Sequence, residues 1–351
     1  MTYSAFDHPY LSGLLGDEAV AAEFSVVADI RAMLSFEAAL ARAEARHAII
    51  PEAAADRITA ACRGFSPDVA ALRRATAVDG VVVPELVRQL RRAVGEEAAD
   101  YVHFGATSQD VIDTSLMLRL KAIAGLFSGR LGAVVSAIED CGRQWGSRPL
   151  TAHTRMQAAI PITVADRLHS WLEPLLDQQD RLDAMEASVF AVQFGGAAGT
   201  LDKLEDKADA VRETLAEELA LVDWPQWHSQ RSAIADFVHL LSLITGSLGK
   251  FGQDVALMAQ AGDEIMLSGG GASSAMPHKQ NPVAAEVLVS LARFNATQVS
   301  GIHHALVHEQ ERSGSALTLE WLLLPQIVGA TAASLRLGLE LAGNIRRLGS
   351  V

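Results

Sequence analysis

The stretch TSQDVIDTSLMLRLKAIAGLFSGRLGAVVSAIED, residues 107–140, decides the fold of this chain. Its apolar residues recur three or four positions apart, at Ile123, Phe127, Leu131, Val134 and Ile138. That spacing places them on one face of an α-helix. The pattern starts near Thr107 and stops at a Gly- and Pro-containing segment around 142–149, so the predicted helix far exceeds the average of roughly 11–12 residues.

Further segments with the same periodicity cover most of the rest of the chain. They predict helices over 17–47, 162–189, 234–267, 283–306 and 317–348, with a kink at Pro325 in the last one. In the first of them, one buried face is predicted from Val20, Phe24, Val27, Ile30 and Leu34. Alternating strand patterns are nearly absent. The sequence therefore predicts an all-α chain, with a small helical N-terminal domain (1–104) and a long antiparallel helix bundle (105–351).

Composition and charge exclude several classes of protein. The 351 residues include 29 Lys and Arg against 42 Asp and Glu, a net charge of −13 that argues against nucleic-acid binding. No run without a charged residue exceeds 15 positions, so no membrane-spanning helix is expected. The N-terminus has no signal-peptide pattern and the chain has two cysteines, which favours a cytoplasmic location. A bundle this long exposes apolar helix faces, and self-association is expected.

Three polar stretches are not explained by helix packing. The third along the chain, residues 268–282 (SGGGASSAMPHKQNP), combines three glycines with Ser273, Ser274 and Lys279. Asn281 is predicted to cap the next helix, with Pro282 at its first position, so the stretch ends at a helix start that suits an anion. The first stretch, residues 103–114, begins at His103, and the second, residues 151–161, contains Arg155.

Each stretch has a simpler interpretation. Residues 268–282 could be a flexible linker, residues 103–114 a turn with a helix cap, and residues 151–161 a loop leading into a helix. A non-catalytic helical scaffold is then the alternative to an enzyme. A metal site on His304 and His308, with His303 beside them, is another alternative, although the chain has no H-E-x-x-H order and no evident third ligand.

Together the three stretches resemble the conserved regions of the fumarase/aspartase superfamily. Residues 272–281 match its pattern G-S-S-x-M-P-x-K-x-N, with Ala272 where glycine is usual. The first stretch matches through Thr107, Ser108, Asp110 and Thr114, preceded by His103 as in the adenylosuccinate lyase branch. The resemblance covers nearly the whole chain, and the third region is the most specific part of it.

The resemblance implies a homotetramer whose active sites combine the three regions from three different subunits. It also implies chemistry without a metal or an organic cofactor. In this chemistry a proton leaves the carbon alpha to a carboxylate and a group leaves the beta carbon, and the enzymes also catalyse the reverse addition. Ser273 is the implied catalytic base. The implied substrate-binding residues are Thr107, Ser108, Gln157, Ser274, Met276, Lys279 and Asn281.

One departure indicates the branch. Gln157, Ala159 and Pro161 align the second region with T-H-x-Q-x-A-x-P, and this alignment puts Arg155 at the position of the family histidine. Arginine stays protonated and cannot exchange a proton as histidine does, but it can bind a carboxylate through two hydrogen bonds. The chain therefore resembles the 3-carboxy-cis,cis-muconate cycloisomerase branch, whose small tricarboxylate substrate loses no amine.

In that branch, Arg155 and Arg312 are expected to bind substrate carboxylates, with His103 as an alternative proton donor. An adenylosuccinate lyase-like or other fumarate-releasing activity is the alternative, and it should need a histidine at position 155. Many relatives have a further C-terminal helical domain, and this chain is expected to lack it.

Overall fold

The computed structural model describes residues 4–272, 276 and 280–350, and within them the chain is mainly helical. Thirteen α-helices are formed by these residues: α1 Ser12–Leu15, α2 Glu18–Glu23, α3 Val26–Arg46, α4 Glu52–Gly64, α5 Val69–Asp79, α6 Val83–Val94, α7 Glu96–Ala99, α8 Ser108–Trp145, α9 Val164–Ser188, α10 Ala208–Leu219, α11 Ser232–Ala261, α12 Val283–His304 and α13 Gly314–Gly343. The predicted all-α class is confirmed.

Among the described residues, six short strands form three two-stranded antiparallel sheets. The strands are β1 Pro149–Thr154, β2 Gln157–Thr163, β3 Ile265–Leu267, β4 Gly271–Ala272, β5 Gln280–Asn281 and β6 Ile345–Leu348. β1 pairs with β2, β3 with β6, and β4 with β5. β1 to β5 lie in connections between helices, and β6 follows α13.

The long helices α8, α9, α11, α12 and α13 form the bundle and give it two distinct ends. At the ion-pair end, Arg231 at the start of α11 joins Asp113 of α8 to Glu320 of α13. At the hairpin end, the amide of Thr151 donates to Glu264 Oε1 at 2.6 Å, and β3 pairs with β6. α8, α11 and α13 therefore run from the ion-pair end to the hairpin end, and α9 and α12 run back.

Close packing between the long helices builds one continuous apolar core. Trp171 of α9 meets Phe251 of α11 edge to face, with ring centroids 5.0 Å apart. α11 and α12 approach closely because Gly249 and Gly252 have no side chain. A Cβ at Gly252 would lie 2.7 Å from the carbonyl oxygen of Ala285, which is too close for any larger residue.

Several predicted boundaries were wrong for local reasons. The helix predicted over 17–47 is two helices, because Ser25 caps α3 with its hydroxyl and ends α2. The predicted buried face therefore fails at Val27, which is 76% exposed. α11 and α13 end at Ala261 and Gly343, where the chain enters β3 and β6 instead of continuing the helix.

Three helices are long and apolar enough to cross a membrane, judged by length and composition alone: α8, α11 and α13. The expectation that no segment reaches this length and apolarity was wrong, because an isolated charge does not prevent a long helix from being apolar on average. About two fifths of the apolar window in α8 is buried within the chain, and about three fifths in α11 and α13. The rest of each window is half-buried or exposed.

Candidate active site

The first region begins α8 at the ion-pair end, and a single buried carboxylate fixes its backbone. Asp110 accepts hydrogen bonds from the amides of Thr107, Gly195 and Gly196 at 2.9–3.0 Å and from His228 Nε2 at 2.7 Å. Asp110 is fully buried. Because one side chain holds both the helix start and the glycine turn at 195–196, these two backbone segments are fixed relative to each other.

Arg312, which was predicted to bind a substrate carboxylate, lies against this helix start. Its guanidinium donates to Thr107 Oγ1 at 2.6 Å and also bonds the carbonyl oxygen of Ala197. Thr107 and Ser108 stand at the positive end of α8, where Asp110 accepts the Thr107 amide and Arg312 adds a positive charge. The structure therefore brings together Thr107, Ser108 and Arg312, although 204 residues separate Ser108 from Arg312 in the sequence.

His103 precedes this helix start and bonds a glutamate of α3. Its Nδ1 donates to Glu37 Oε1 at 2.7 Å, and its side chain is 14% exposed while that of Glu37 is 1% exposed. Burial alone would lower the pKa of His103, but the charge and hydrogen bond of Glu37 outweigh it and raise the pKa above the ordinary value. His103 therefore holds a proton more firmly than a free histidine does.

Arg231 forms a buried ion-pair cluster beneath the first region. It makes two bonds to Asp113, at 2.6 and 2.9 Å, and two to Glu320, at 2.9 and 2.6 Å. All three side chains are at most 2% exposed. Four of these buried residues were not predicted from the sequence: Arg231, Glu320, Glu37 and His228. Their partners are distant in sequence, and no spacing pattern marks them.

The second region is a β-hairpin and not the plain loop or helix entry that its sequence allowed. Thr154 pairs with Gln157, so Arg155 and Met156 form a two-residue turn with φ of 48° and 65°. Positive φ at both central residues is the geometry of a type I′ turn, which normally contains Asn and Gly. Residues 153–161 are exposed. The side-chain amide of Gln157 donates to the carbonyl oxygen of Met156 at 3.0 Å.

The first and second regions lie at opposite ends of one helix. α8 has 38 residues between them, so they are about 57 Å apart along its axis. Within one chain, Arg155 therefore cannot reach the same ligand as Arg312 or His103. A groove of about 800 Å³ between α3, α4 and α8 contains none of the predicted site residues.

The third region lies at the hairpin end, and its two flanks pair as β4 and β5. Gly271 is opposite Asn281, and Ala272 is opposite Gln280. Ser273, Ser274 and Lys279 lie outside the described residues, and Met276 is 46% exposed. The predicted cap was wrong: Asn281 belongs to β5, Pro282 occupies the cap position without a side-chain hydrogen bond, and α12 begins at Val283.

The three histidines of the alternative metal site do not form a common cluster in the structure. His303 and His304 are exposed at the end of α12. Both ring nitrogens of His308 are buried and make no hydrogen bond to the described part of the chain. Within that part, no group of three or more His, Cys, Asp and Glu residues could hold a metal ion.

Glu44 is a second buried carboxyl group on α3, two turns from Glu37. It is fully buried, and neither of its oxygens has a hydrogen-bond partner among the described residues. Burial, with a smaller contribution from the charge of Glu37, raises the pKa of Glu44 to about 9. Glu44 is therefore a neutral acid at neutral pH, whereas an unfolded glutamate is ionised there.

Glu44→Gln is expected to remove a pH dependence of stability. Between pH 4.5 and 9, the folded chain keeps the proton of Glu44 and the unfolded chain releases it, so the free energy of unfolding falls as pH rises. The difference between wild type and variant should grow by about 1.4 kcal/mol per pH unit in favour of the variant. Urea unfolding at pH 6, 7 and 8 measures it, and parallel curves for the two proteins would contradict it.

Comparison with known proteins agrees with the fold. A family profile described as lyase matches residues 17–301. The chain is 40% identical to the 3-carboxy-cis,cis-muconate cycloisomerase of Pseudomonas aeruginosa over 90% of its own length and 70% of that protein. It is 39% identical to the enzyme of the same name from Pseudomonas putida, over 89% of this chain and 76% of that one.

A solved structure supports the same assignment. The crystal structure of 3-carboxy-cis,cis-muconate lactonizing enzyme from Pseudomonas putida matches with a TM-score of 0.91 and 36% identity, over 96% of this chain and 77% of that chain. At that identity and coverage, the likeness extends beyond the fold to the family. The chain therefore belongs to the fumarase/aspartase superfamily of lyases, in the branch of the 3-carboxy-cis,cis-muconate cycloisomerases.

Proposed function

We propose that the protein interconverts 3-carboxy-cis,cis-muconate and 4-carboxymuconolactone. The observation that carries this proposal is the arrangement at the start of α8, where His103, whose pKa is raised by Glu37, precedes the helix start that Arg312 contacts. The reaction needs a proton donor and several positive groups for a substrate with three carboxylates. The relatives of the same name support the choice of substrate.

The chemistry requires one C–O bond and one C–H bond to form. A carboxylate oxygen of the substrate attacks the beta carbon of a C=C bond, and the π electrons move into the neighbouring carboxylate, which becomes an aci-carboxylate. Proton transfer from His103 to the alpha carbon then completes the lactone, and His103 regains its proton from water. Positive charge on Arg312 stabilises the extra negative charge of the intermediate.

The second and third regions supply the remaining groups of the proposed site. Arg155 binds another substrate carboxylate, for which its fixed charge and two-pronged geometry are suited. Lys279 is assigned a further substrate carboxylate, with Ser274, Met276, Gln157 and Asn281 as substrate contacts. Ser273, the base implied by the family, is the alternative to His103 for exchange of the alpha-carbon proton. In this scheme no group has to protonate an amine, so an arginine at position 155 is compatible with the reaction.

The length of α8 supports a site that is shared between the chains of a homotetramer. Since about 57 Å separates the first and second regions, a complete site requires the ion-pair end of one chain beside the hairpin ends of others. The bundle offers apolar surface for this association: Leu322 is 61% exposed, and Trp321, Leu176 and Leu339 are each 39% exposed. A bundle of residues 105–351 with a smaller domain of residues 1–104 fits this assembly.

A cytoplasmic location fits the chemistry of the cysteines. Cys62 and Cys141 are both buried and unpaired. Burial raises the pKa of Cys62 to about 12 and that of Cys141 to about 11, which keeps both thiols protonated and unreactive.

Ultraviolet absorbance tests the function directly. With 3-carboxy-cis,cis-muconate, the purified protein should remove the absorbance of the conjugated diene, and the lactone should appear in stoichiometric amount by NMR. His103→Asn should slow the reaction by roughly 10²–10⁴-fold because the proton donor is lost. Release of fumarate from adenylosuccinate, with no change in the muconate spectrum, would overturn the proposal in favour of the alternative lyase activity.

A further inference from the structure

Glu37 contacts His103 from a different part of the fold. It lies in the middle of α3, 66 residues before His103, and the 2.7 Å bond to His103 Nδ1 uses only its Oε1. Oε2 is buried and has no hydrogen-bond partner among the described residues. A carboxylate this deeply buried is costly to ionise without a positive partner, and His103 is the group that it bonds.

The backbone of His103 is held to present the ring to Glu37. Its φ of 62° is in the left-handed region, which costs a non-glycine residue free energy. Neighbouring elements fix this conformation: Arg91 of α6 donates to the carbonyl oxygen of Val102 at 3.1 Å, and Gly105 follows with φ of 71°. The ring is thus oriented by the fold and anchored through Nδ1, which leaves Nε2 as the nitrogen that can face a substrate.

Among the charged groups around His103, Glu37 has the largest effect on the protonation of the ring. Asp110 of α8 also favours the protonated ring, and Arg91 of α6 opposes it. Asp110 is already committed to three amides and to His228. Glu44, the other carboxyl group of α3 near Glu37, is neutral at neutral pH. Glu37 is the one among these groups that bonds the imidazole.

We propose that Glu37 is the positioning residue that keeps His103 protonated and aims its Nε2–H at the alpha carbon of the substrate. Glu37 does not touch the substrate and acts through the histidine. The inference rests on the proposed function for the role of the proton. The ion pair itself can be tested without any substrate.

Replacing Glu37 by glutamine keeps the size of the side chain and removes its charge. In Glu37→Gln the titration midpoint of His103 should fall by roughly 1–3 pH units, as followed by NMR of the intact protein with ¹³C-labelled histidine. His103→Asn identifies the signal. The alkaline limb of kcat should move down by the same amount. At neutral pH kcat should therefore drop tenfold or more, while KM for the muconate changes less than twofold.

Two further variants serve as controls. Glu44→Gln is the matched control, because it changes a buried glutamate of the same helix that is already uncharged; the midpoint of His103 and kcat should stay as in wild type. Glu37→Asp restores the charge at a longer distance and should recover part of the shift. Circular dichroism and gel filtration report whether each variant keeps its fold and assembly.

The outcomes separate this proposal from the proposed function. An unchanged His103 midpoint in folded Glu37→Gln would overturn the role of Glu37. An equal loss of kcat at every pH would do the same, because lower pH should rescue a histidine that has only lost its proton. If the midpoint shifts as expected but wild type does not convert the muconate, the ion pair stands and the assigned substrate is wrong.

Discussion

Arg231→Met should lower the free energy of unfolding by about 3–5 kcal/mol. The substitution leaves Asp113 and Glu320 buried, negatively charged and without their shared partner at the point where α8, α11 and α13 meet. Removing one member of a buried cluster is costly because the remaining charges cannot return to water. Urea unfolding at pH 7, at one fixed protein concentration, measures the loss.

The control for Arg231→Met removes all three charges together. In the triple variant Arg231→Met, Asp113→Leu and Glu320→Leu, no charge remains unpaired, and most of the lost stability should return. If Arg231→Met lowers the free energy of unfolding by less than about 1 kcal/mol, the ion pairs of Arg231 contribute no more than exposed ones do. That result would contradict the buried geometry. If Arg231→Lys recovers the lost stability and the triple variant does not, the ion-pair cluster itself gives net stability.

Mixing two inactive variants should restore activity. His103→Asn damages the first region and Arg155→Ala the second, and each variant alone should be nearly inactive. If three chains contribute to each site, co-refolded mixtures contain sites that draw His103 from one variant and Arg155 from the other. With random mixing of equal amounts, about a quarter of the sites are intact for these two residues, so activity should rise from near zero to about that fraction.

The controls for this experiment are the two variants refolded separately and mixed afterwards, which should remain inactive as long as the assemblies do not exchange chains. A second control combines His103→Asn with Thr107→Ala. Both changes lie at the ion-pair end of the same chain, so mixing these two should restore nothing. If His103→Asn and Arg155→Ala fail to complement in a mixed assembly confirmed by mass spectrometry, sites are not shared between chains.

The long helices were predictable because their periodicity is local. Residues 108–145 carry their apolar face in the sequence itself, and α8 begins and ends within a few residues of the predicted bounds. The hairpin at 149–163 was not predicted, because its turn residues are Arg155 and Met156 and not the Asn-Gly that usually signals such a turn. The break at Ser25 was missed because a serine cap is common and the apolar spacing continued across it.

The candidate site was only partly accessible from the sequence. Motif resemblance identified Thr107 and Ser108, and the resemblance to the branch added Arg312; the structure brings these three residues together. Glu37, His228 and Arg231 were not identified, since a buried polar residue is recognised by its partner and the partners are 66 to 118 residues away. Folding creates these pairs, and a linear pattern does not encode them.

At the turn formed by Arg155 and Met156, the residue that the proposed activity needs is one that lowers the stability of the fold. A residue with positive φ and a Cβ carries a conformational cost of about 1–2 kcal/mol, which asparagine or glycine at position 155 would relieve. Directed evolution for heat resistance would therefore favour these replacements and, on the proposed mechanism, discard the carboxylate contact in the same step. Selection that retains arginine here is selection for catalysis at the expense of folding, so a thermostable catalyst should be sought through changes elsewhere in the chain.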